Sequence, residues 1–215
     1  MSTIQSTKTV TNSGKQVDVR KLTATAMLSA VAFVLMMFDL ALPIMPSFIK
    51  LDISELPALL AAFAFGPVSG VLVCLIKNIL HLFITTTGGV GEISNFILGA
   101  AFVLPAGLIY KHKKSKTSAF VGALIGAAVM AVISFPSNYF VVYPAYYIMY
   151  SMTEEAIVGA YSAIASEIFH YDGITSIAQC LLFFNVPFTF VKGLISVFIT
   201  MLIYKPLRPV LKGRN

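Results

Sequence analysis

The chain has 215 residues, 58% of them hydrophobic and only 11% charged, with a formal net charge of +6. A soluble domain carries roughly 25% charged residues, so this composition excludes a water-soluble globule and points to apolar runs of about 20 residues that cross a hydrocarbon core. The positive balance does not single out a nucleic-acid partner, because lysine and arginine in an apolar chain chiefly fix membrane orientation.

Residues 1–20 are polar, rich in Ser and Thr, and lack the apolar core and cleavage site of a secretory signal, so they are expected to form a disordered cytoplasmic tail. The first span runs from about Leu22 to Leu42 and stops at Pro43 and Pro46, which cannot continue a helix. An outside loop, PIMPSFIKLD, follows. The second helix, about Ile53 to Phe65, opens with Ser54 as N-cap, closes at Gly66 and Pro67, and is too short to span unaided. The third, about Val68 to Thr86, leads to a loop containing Gly88, Gly89 and Gly91; the fourth, about Ile93 to Tyr110, returns to KHKKSK. The fifth leaves near Ser118 and ends by about Val142. Residues 143–176 then form a long outside connection in which Ser151 and Glu154 match a capping box for an amphipathic helix up to about Phe169. That helix is either an interfacial element or a lid. The sixth span runs from about Ile177 to Tyr204, before a basic tail over 206–215.

Twelve of the fifteen Lys and Arg fall in three clusters, Lys8 to Lys21, Lys111 to Lys116 and Lys205 to Arg214, which mark the cytoplasmic side. The expected architecture is an all-α integral membrane protein, one six-helix domain over 21–205 with both termini cytoplasmic. Cys74 and Cys180 then sit toward opposite faces, too far apart for a disulfide.

Ionisable and amide groups within spans are costly in lipid and face protein or a cavity. On the third helix, Lys77, Asn78, His81 and Thr85 form one polar stripe, read either as an interhelical network with Lys77 paired to Asp39 or as the wall of a site. On the sixth, Asn185, Thr189, Lys192 and Ser196 share a face, flanked by Phe183, Phe184 and Phe188. Lys192 starts roughly 20 Å from the outer end, but its side chain leans outward toward the helix N-terminus; Asn138 on the fifth helix leans inward, so the two groups can meet. With Phe135, Tyr139 and Phe188 as flat apolar faces, such a pocket suits a planar heteroaromatic ligand, packing alone being the alternative.

The run SFIKLDISELPALLAAFAFGPVSGVLVCLIKNILHLFITTTGGVGEISNFILG, with SNYFVVYPAYY and NVPFTFVKG, strongly resembles the riboflavin-specific S components of energy-coupling factor (ECF) transporters, over about Lys21 to Tyr204. The resemblance implies the S-component fold, a prokaryotic cell membrane, and a six-helix subunit that takes riboflavin from outside and delivers it by toppling. Its partners would be a transmembrane coupling subunit and two ATPase subunits, in which ATP is used; no cofactor and no metal is expected in this chain. Residue by residue, it implies that Asn138, Thr189 and Lys192 hydrogen-bond the isoalloxazine, that Ser47, Phe48 and Lys50 cover the ligand, and that Asn95 is a further candidate. The uncharged ring would be read by one lysine and several amides without a matching carboxylate. At Thr189 the family pattern carries Asn, so that contact is expected to be lost, water-mediated or moved to Asn185. Ala26 and Ala30 match the small pair with which the family packs on its transmembrane partner; Gly122 and Gly126 match the spacing too.

Other functions fit the residues less well. Glu154 and Glu155 resemble the paired glutamates of certain membrane proteases, but Gly159 stands where an arginine is needed, and neither His81 nor His170 has zinc-ligand spacing. No serine nucleophile elbow and no P-loop occur, so the chain is not expected to be an enzyme or to use ATP itself. A secondary transporter would show inverted repeats and paired broken helices, which are not evident. An S component for another vitamin remains open.

Overall fold

The computed structural model describes residues 19–212; of the tail expected over residues 1–20, residues 1–18 lie outside the described part, as do residues 213–215, while Val19 and Arg20 already belong to the first helix. Seven helices run in chain order: α1 (Val19–Met37), α2 (Glu55–Phe65), α3 (Pro67–His81), α4 (Val90–His112), α5 (Lys116–Tyr150), α6 (Glu154–Phe169) and α7, which begins at Ile177 and continues through Lys212. Five of these, α1, α3 with its 3-10 extension to Ile84, α4, α5 and α7, are long and apolar enough to cross a membrane. The second predicted span is the exception. At 11 residues, α2 reaches only about 16 Å against a core of about 30 Å.

Composition explains where α2 sits. Its ELPALLAAFAF sequence has no polar face after the first turn, and every residue from Pro57 to Phe63 is buried. It packs against α1, α3, α4 and α7. By contrast α1 buries a single stripe, Thr25, Ser29, Ala32 and Met36. The two hydroxyls in that stripe bond the carbonyls of Lys21 and Thr25 one turn back, each at 2.8 Å, which satisfies them without a partner helix.

Small residues set the central spacing. A methyl added to Gly126 would lie 2.3 Å from the Phe102 carbonyl oxygen, and one added to Gly122 would lie 2.9 Å from that of Ala106. The Gly122 and Gly126 pair therefore serves the α4–α5 contact inside the chain. Two apolar cores result. One gathers alanines with Phe63, Phe102, Tyr110 and Met130; the other gathers Tyr143, Tyr146, Ile157, Tyr161, Leu181 and Phe184 around the α5–α6–α7 end.

Three local expectations change. The fifth span does not end at Val142: α5 passes through a π turn at Asn138–Val142 and continues to Tyr150. Ser151 does not cap α6. It ends α5 in a left-handed conformation (φ 52°), and the Thr153 side chain accepts from the Ala156 amide at 3.2 Å instead. The outside loop after α1 is ordered by a two-stranded antiparallel pair, β1 (Leu40–Ala41) and β2 (Lys50–Leu51), in register Leu40 with Leu51 and Ala41 with Lys50. A Lys50–Asp39 ion pair at 2.8 Å closes the base of this hairpin. Cys74 and Cys180 are free and buried, as expected for inert core residues.

The close α4–α5 approach makes a stability prediction. Gly126→Ala is expected to destabilise the protein by about 1–3 kcal/mol through overpacking, read as a lower unfolding midpoint in detergent. Gly159→Ala on α6, where an added methyl meets nothing within 4 Å, should leave the midpoint unchanged or raise it, since alanine favours helix over glycine. An unaltered midpoint for Gly126→Ala would contradict this helix contact.

Candidate functional site

A cavity of about 310 Å³ opens between the two cores, walled by α1, α3, α4, α5 and α7 and covered by the β1–β2 hairpin. This is within the size range of small-molecule sites. Of the sequence candidates, Ser47, Phe48, Lys50, Asn95, Asn138, Asn185, Phe188, Thr189 and Lys192 all border it.

Two proline-linked π turns shape its walls. Pro144 and Pro187 lack the amide that would close an α-helical bond to the residue four back, and their rings crowd that carbonyl. Each follows a π turn by two residues, Asn138–Val142 in α5 and Leu181–Asn185 in α7. Such bulges redirect side chains and recur at functional sites. Here the first opens with Asn138 and the second closes with Asn185, and both amides are buried.

Their hydrogen bonding differs. Asn185 is engaged in the protein: its Oδ1 accepts from Tyr161 Oη, and its Nδ2 donates to Tyr143 Oη at 3.3 Å. Asn138 and Thr189 are 8% and 6% exposed, border the cavity, and have no side-chain hydrogen bond among the described residues. Their polar atoms open on the cavity rather than being sealed in protein, so whatever fills that space is their partner.

Tyr139 and Phe183 are placed elsewhere. Tyr139 is 42% exposed and stacks on Phe135, ring centroids 6.0 Å apart and planes within 3°, because neighbouring helical residues diverge by about 100° from the direction Asn138 takes. Phe183 borders a second, apolar cavity with Phe169 and Tyr171. The aromatic faces at the main cavity are Phe48, Tyr143, Tyr146 and Phe188, with Phe48 edge-on to Tyr146 and Tyr161.

Lys192 does not stand without a carboxylate. Its Nζ donates to Asp52 Oδ2 at 2.8 Å and lies 3.4 Å from Glu55 Oε2. Glu55 Oε1 in turn accepts from Lys77 Nζ at 3.1 Å. Ser54 joins the cluster rather than capping α2: it accepts from Lys77 and donates to Asp52, whose Oδ1 also accepts the Ser54 amide at 2.9 Å. Two carboxylates and two ammonium groups thus balance inside the bundle.

The remaining third-helix stripe is also paired. Lys77 bonds Glu55 rather than Asp39, Asn78 bonds the Cys74 carbonyl at 2.7 Å, and His81 Nδ1 meets Glu92 Oε1 at 2.7 Å. Thr85 accepts from the Thr87 and Gly89 amides, shaping the turn in which Gly89 is left-handed (φ 93°) before α4. His81 and Glu92 border the cavity, as do Asp39 and Asp52. Sequence reasoning missed Asp52, Glu55 and Glu92, although two lysines within spans demand carboxylates at the same depth.

Ala26 and Ala30 are exposed on α1, off its buried stripe. They are thus free of internal packing.

The charge cluster and the hairpin base differ in depth, so their removal should differ in cost. Lys77→Met is expected to destabilise by roughly 3 kcal/mol, because it strips Glu55 of its nearest counter-charge in a dry setting. Lys50→Met should cost about 0–1 kcal/mol, since that pair is half exposed. Equal detergent unfolding midpoints for the two variants would refute the assignment of the cluster as a buried keystone.

Comparison with known proteins matches residues 20–204 to the family described as ECF transporter, substrate-specific component. Riboflavin transporter RibU of Staphylococcus aureus (strain TCH60) is 33% identical over 193 residues, covering 90% of this chain and 93% of that protein. Riboflavin transporter FmnP of Bacillus subtilis (strain 168) is 32% identical over 197 residues, covering 89% and 93%. A solved structure of the S component of a bacterial ECF transporter superposes with a TM-score of 0.68 at 34% identity, covering 90% of this chain and 98% of that one. A match over nearly all the apolar chain, in sequence and in fold together, means that this multi-pass membrane protein belongs to the substrate-specific components of ECF transporters.

Proposed function

We propose that this chain captures riboflavin from outside the cell and delivers it inward as the S component of an ECF importer, energised by a transmembrane coupling subunit and two ATPase subunits. The observation that carries the reading is the unpartnered pair Asn138 and Thr189 facing a cavity whose ionised floor is already balanced. Such a floor favours a neutral ligand, because an added charge would have no counter-ion in a dry site. Riboflavin fits this demand: its ring is flat and uncharged, with carbonyl and ring-nitrogen acceptors and one imide donor. The names of the relatives point to the same vitamin.

In this reading Asn138 and Lys192 hold the ring edge, Phe188 and Phe48 contact its faces, and Ser47 and Lys50 belong to the covering hairpin. Thr189 supplies a hydroxyl where the family pattern has an amide, and Asn185 stays committed to Tyr143 and Tyr161. Ala26 and Ala30 form the exposed small-residue strip for the coupling subunit. The three basic clusters put both termini and the α4–α5 turn inside. With the hairpin segment completing the short α2, the chain crosses six times.

Detergent-purified protein should quench riboflavin fluorescence on titration. Asn138→Ala is expected to weaken binding by about tenfold or more, the cost of one lost hydrogen bond in a dry site, with little change in unfolding midpoint. Tight binding of thiamine or biotin without any flavin response would overturn the substrate. Proton-dependent riboflavin accumulation in vesicles containing this chain alone would overturn the energised-subunit role.

A further inference from the structure

Within the riboflavin reading, one atom of the charge cluster that faces the cavity, Asp52 Oδ2, is loosely engaged. Asp52 Oδ1 is saturated by the amide and hydroxyl of Ser54. Asp52 Oδ2 accepts one short bond from Lys192, at 2.8 Å, and one at the limit of hydrogen bonding from Asn95 Nδ2, at 3.4 Å. A carboxylate has about four acceptor sites, so Asp52 is nominally full, but the Asn95 contact at 3.4 Å is the weakest of the four and the one a ligand N–H can replace, and Asp52 borders the cavity.

Lys192 is in the complementary position. One of its three N–H groups bonds Asp52 and Glu55 Oε2 lies in ion-pair range at 3.4 Å, which leaves at least one N–H for a ligand acceptor. A spare donor and a weakly held acceptor therefore sit side by side on the cavity wall. The donor that Asp52 can still take must be neutral, since Lys77 and Lys192 already offset Glu55 and Asp52. An imide edge, with a carbonyl next to an N–H, has this pattern.

We infer that Asp52 is a specificity-determining residue for the flavin ring: Lys192 donates to a ring carbonyl while Asp52 Oδ2 accepts the adjacent imide N–H. An amide such as Asn138 can rotate to offer either donor or acceptor, whereas a carboxylate only accepts, so Asp52 fixes which edge of the ring enters. The other ionisable groups at the cavity are engaged with each other, Asp39 with Lys50 and Glu92 with His81.

Two measurements test this on the full-length protein in detergent. First, 3-methylriboflavin, which lacks the imide proton, should bind wild-type protein at least about tenfold more weakly than riboflavin. Second, the alkaline absorbance change that reports imide ionisation should occur in the Asp52→Asn complex at a pH lower by about one unit or more than in the wild-type complex. The carboxylate favours the protonated imide, and its removal leaves Lys192 to favour the ring anion. A merely structural role for Asp52 would not move that transition. If Asp52→Asn does not fold, the methylated ligand decides alone. Equal affinity for the two flavins, with riboflavin still bound tightly, overturns the role of Asp52 and leaves the riboflavin reading intact. No binding of either flavin overturns both.

Discussion

An ammonium group enclosed by a hydrocarbon-clad bundle has to find a carboxylate, and Lys77 and Lys192 find two, at either end of the short turn around Ser54. Much of the fold follows from that pairing. Asp52 and Glu55 must lie at the depth of the lysines, so the chain leaving α1 has to dive back into the bundle before α2 can begin. This is why α2 has only 11 residues. The same dive folds residues 39–51 into a hairpin above the cavity, and so the ion pairs that neutralise the interior also place the cover.

The apolar runs, the basic clusters and the two polar stripes were legible in the sequence because they are local and periodic. Lys77, Asn185 and Lys192 lie on protein-facing arcs, as the wheel positions require. Their partners were less legible. Asp52 and Glu55 belong to a segment that reads as an outside loop and a helix start, so the wheel offers Lys77 either Asp39 or a site wall and leaves Lys192 facing a ligand alone. The missing signal was charge balance at a given depth, which relates residues 140 positions apart and leaves no periodic trace.

Prolines account for the other discrepancy. Pro144 was read within a loop, yet α5 continues past it because a π turn widens the helix ahead of the ring. The same device precedes Pro187. A regular helix across these positions would rotate Asn138 and Asn185 relative to their neighbours, and wheel arguments fail locally there. Tyr139, by contrast, faces away from the cavity through the ordinary divergence of adjacent helical residues.

The hairpin is held unevenly along its length. Just beyond its base, Asp52 is buried and anchored to α7, to α4 through Asn95, and to α3 through Ser54 and Lys77. At the base itself the Lys50–Asp39 pair is partly exposed, worth at most about 1 kcal/mol, and the two-residue strands add little. The tip is held chiefly by Phe48 against Tyr146 and Tyr161, which are edge contacts of roughly 0.5–1.5 kcal/mol each beyond burial. Separating Asp52 from Lys192 would instead strand charges in a dry site at several kcal/mol. Any motion that uncovers the cavity is therefore cheapest at Phe48 and hinges before Asp52, so the cavity can open while the charge cluster stays assembled.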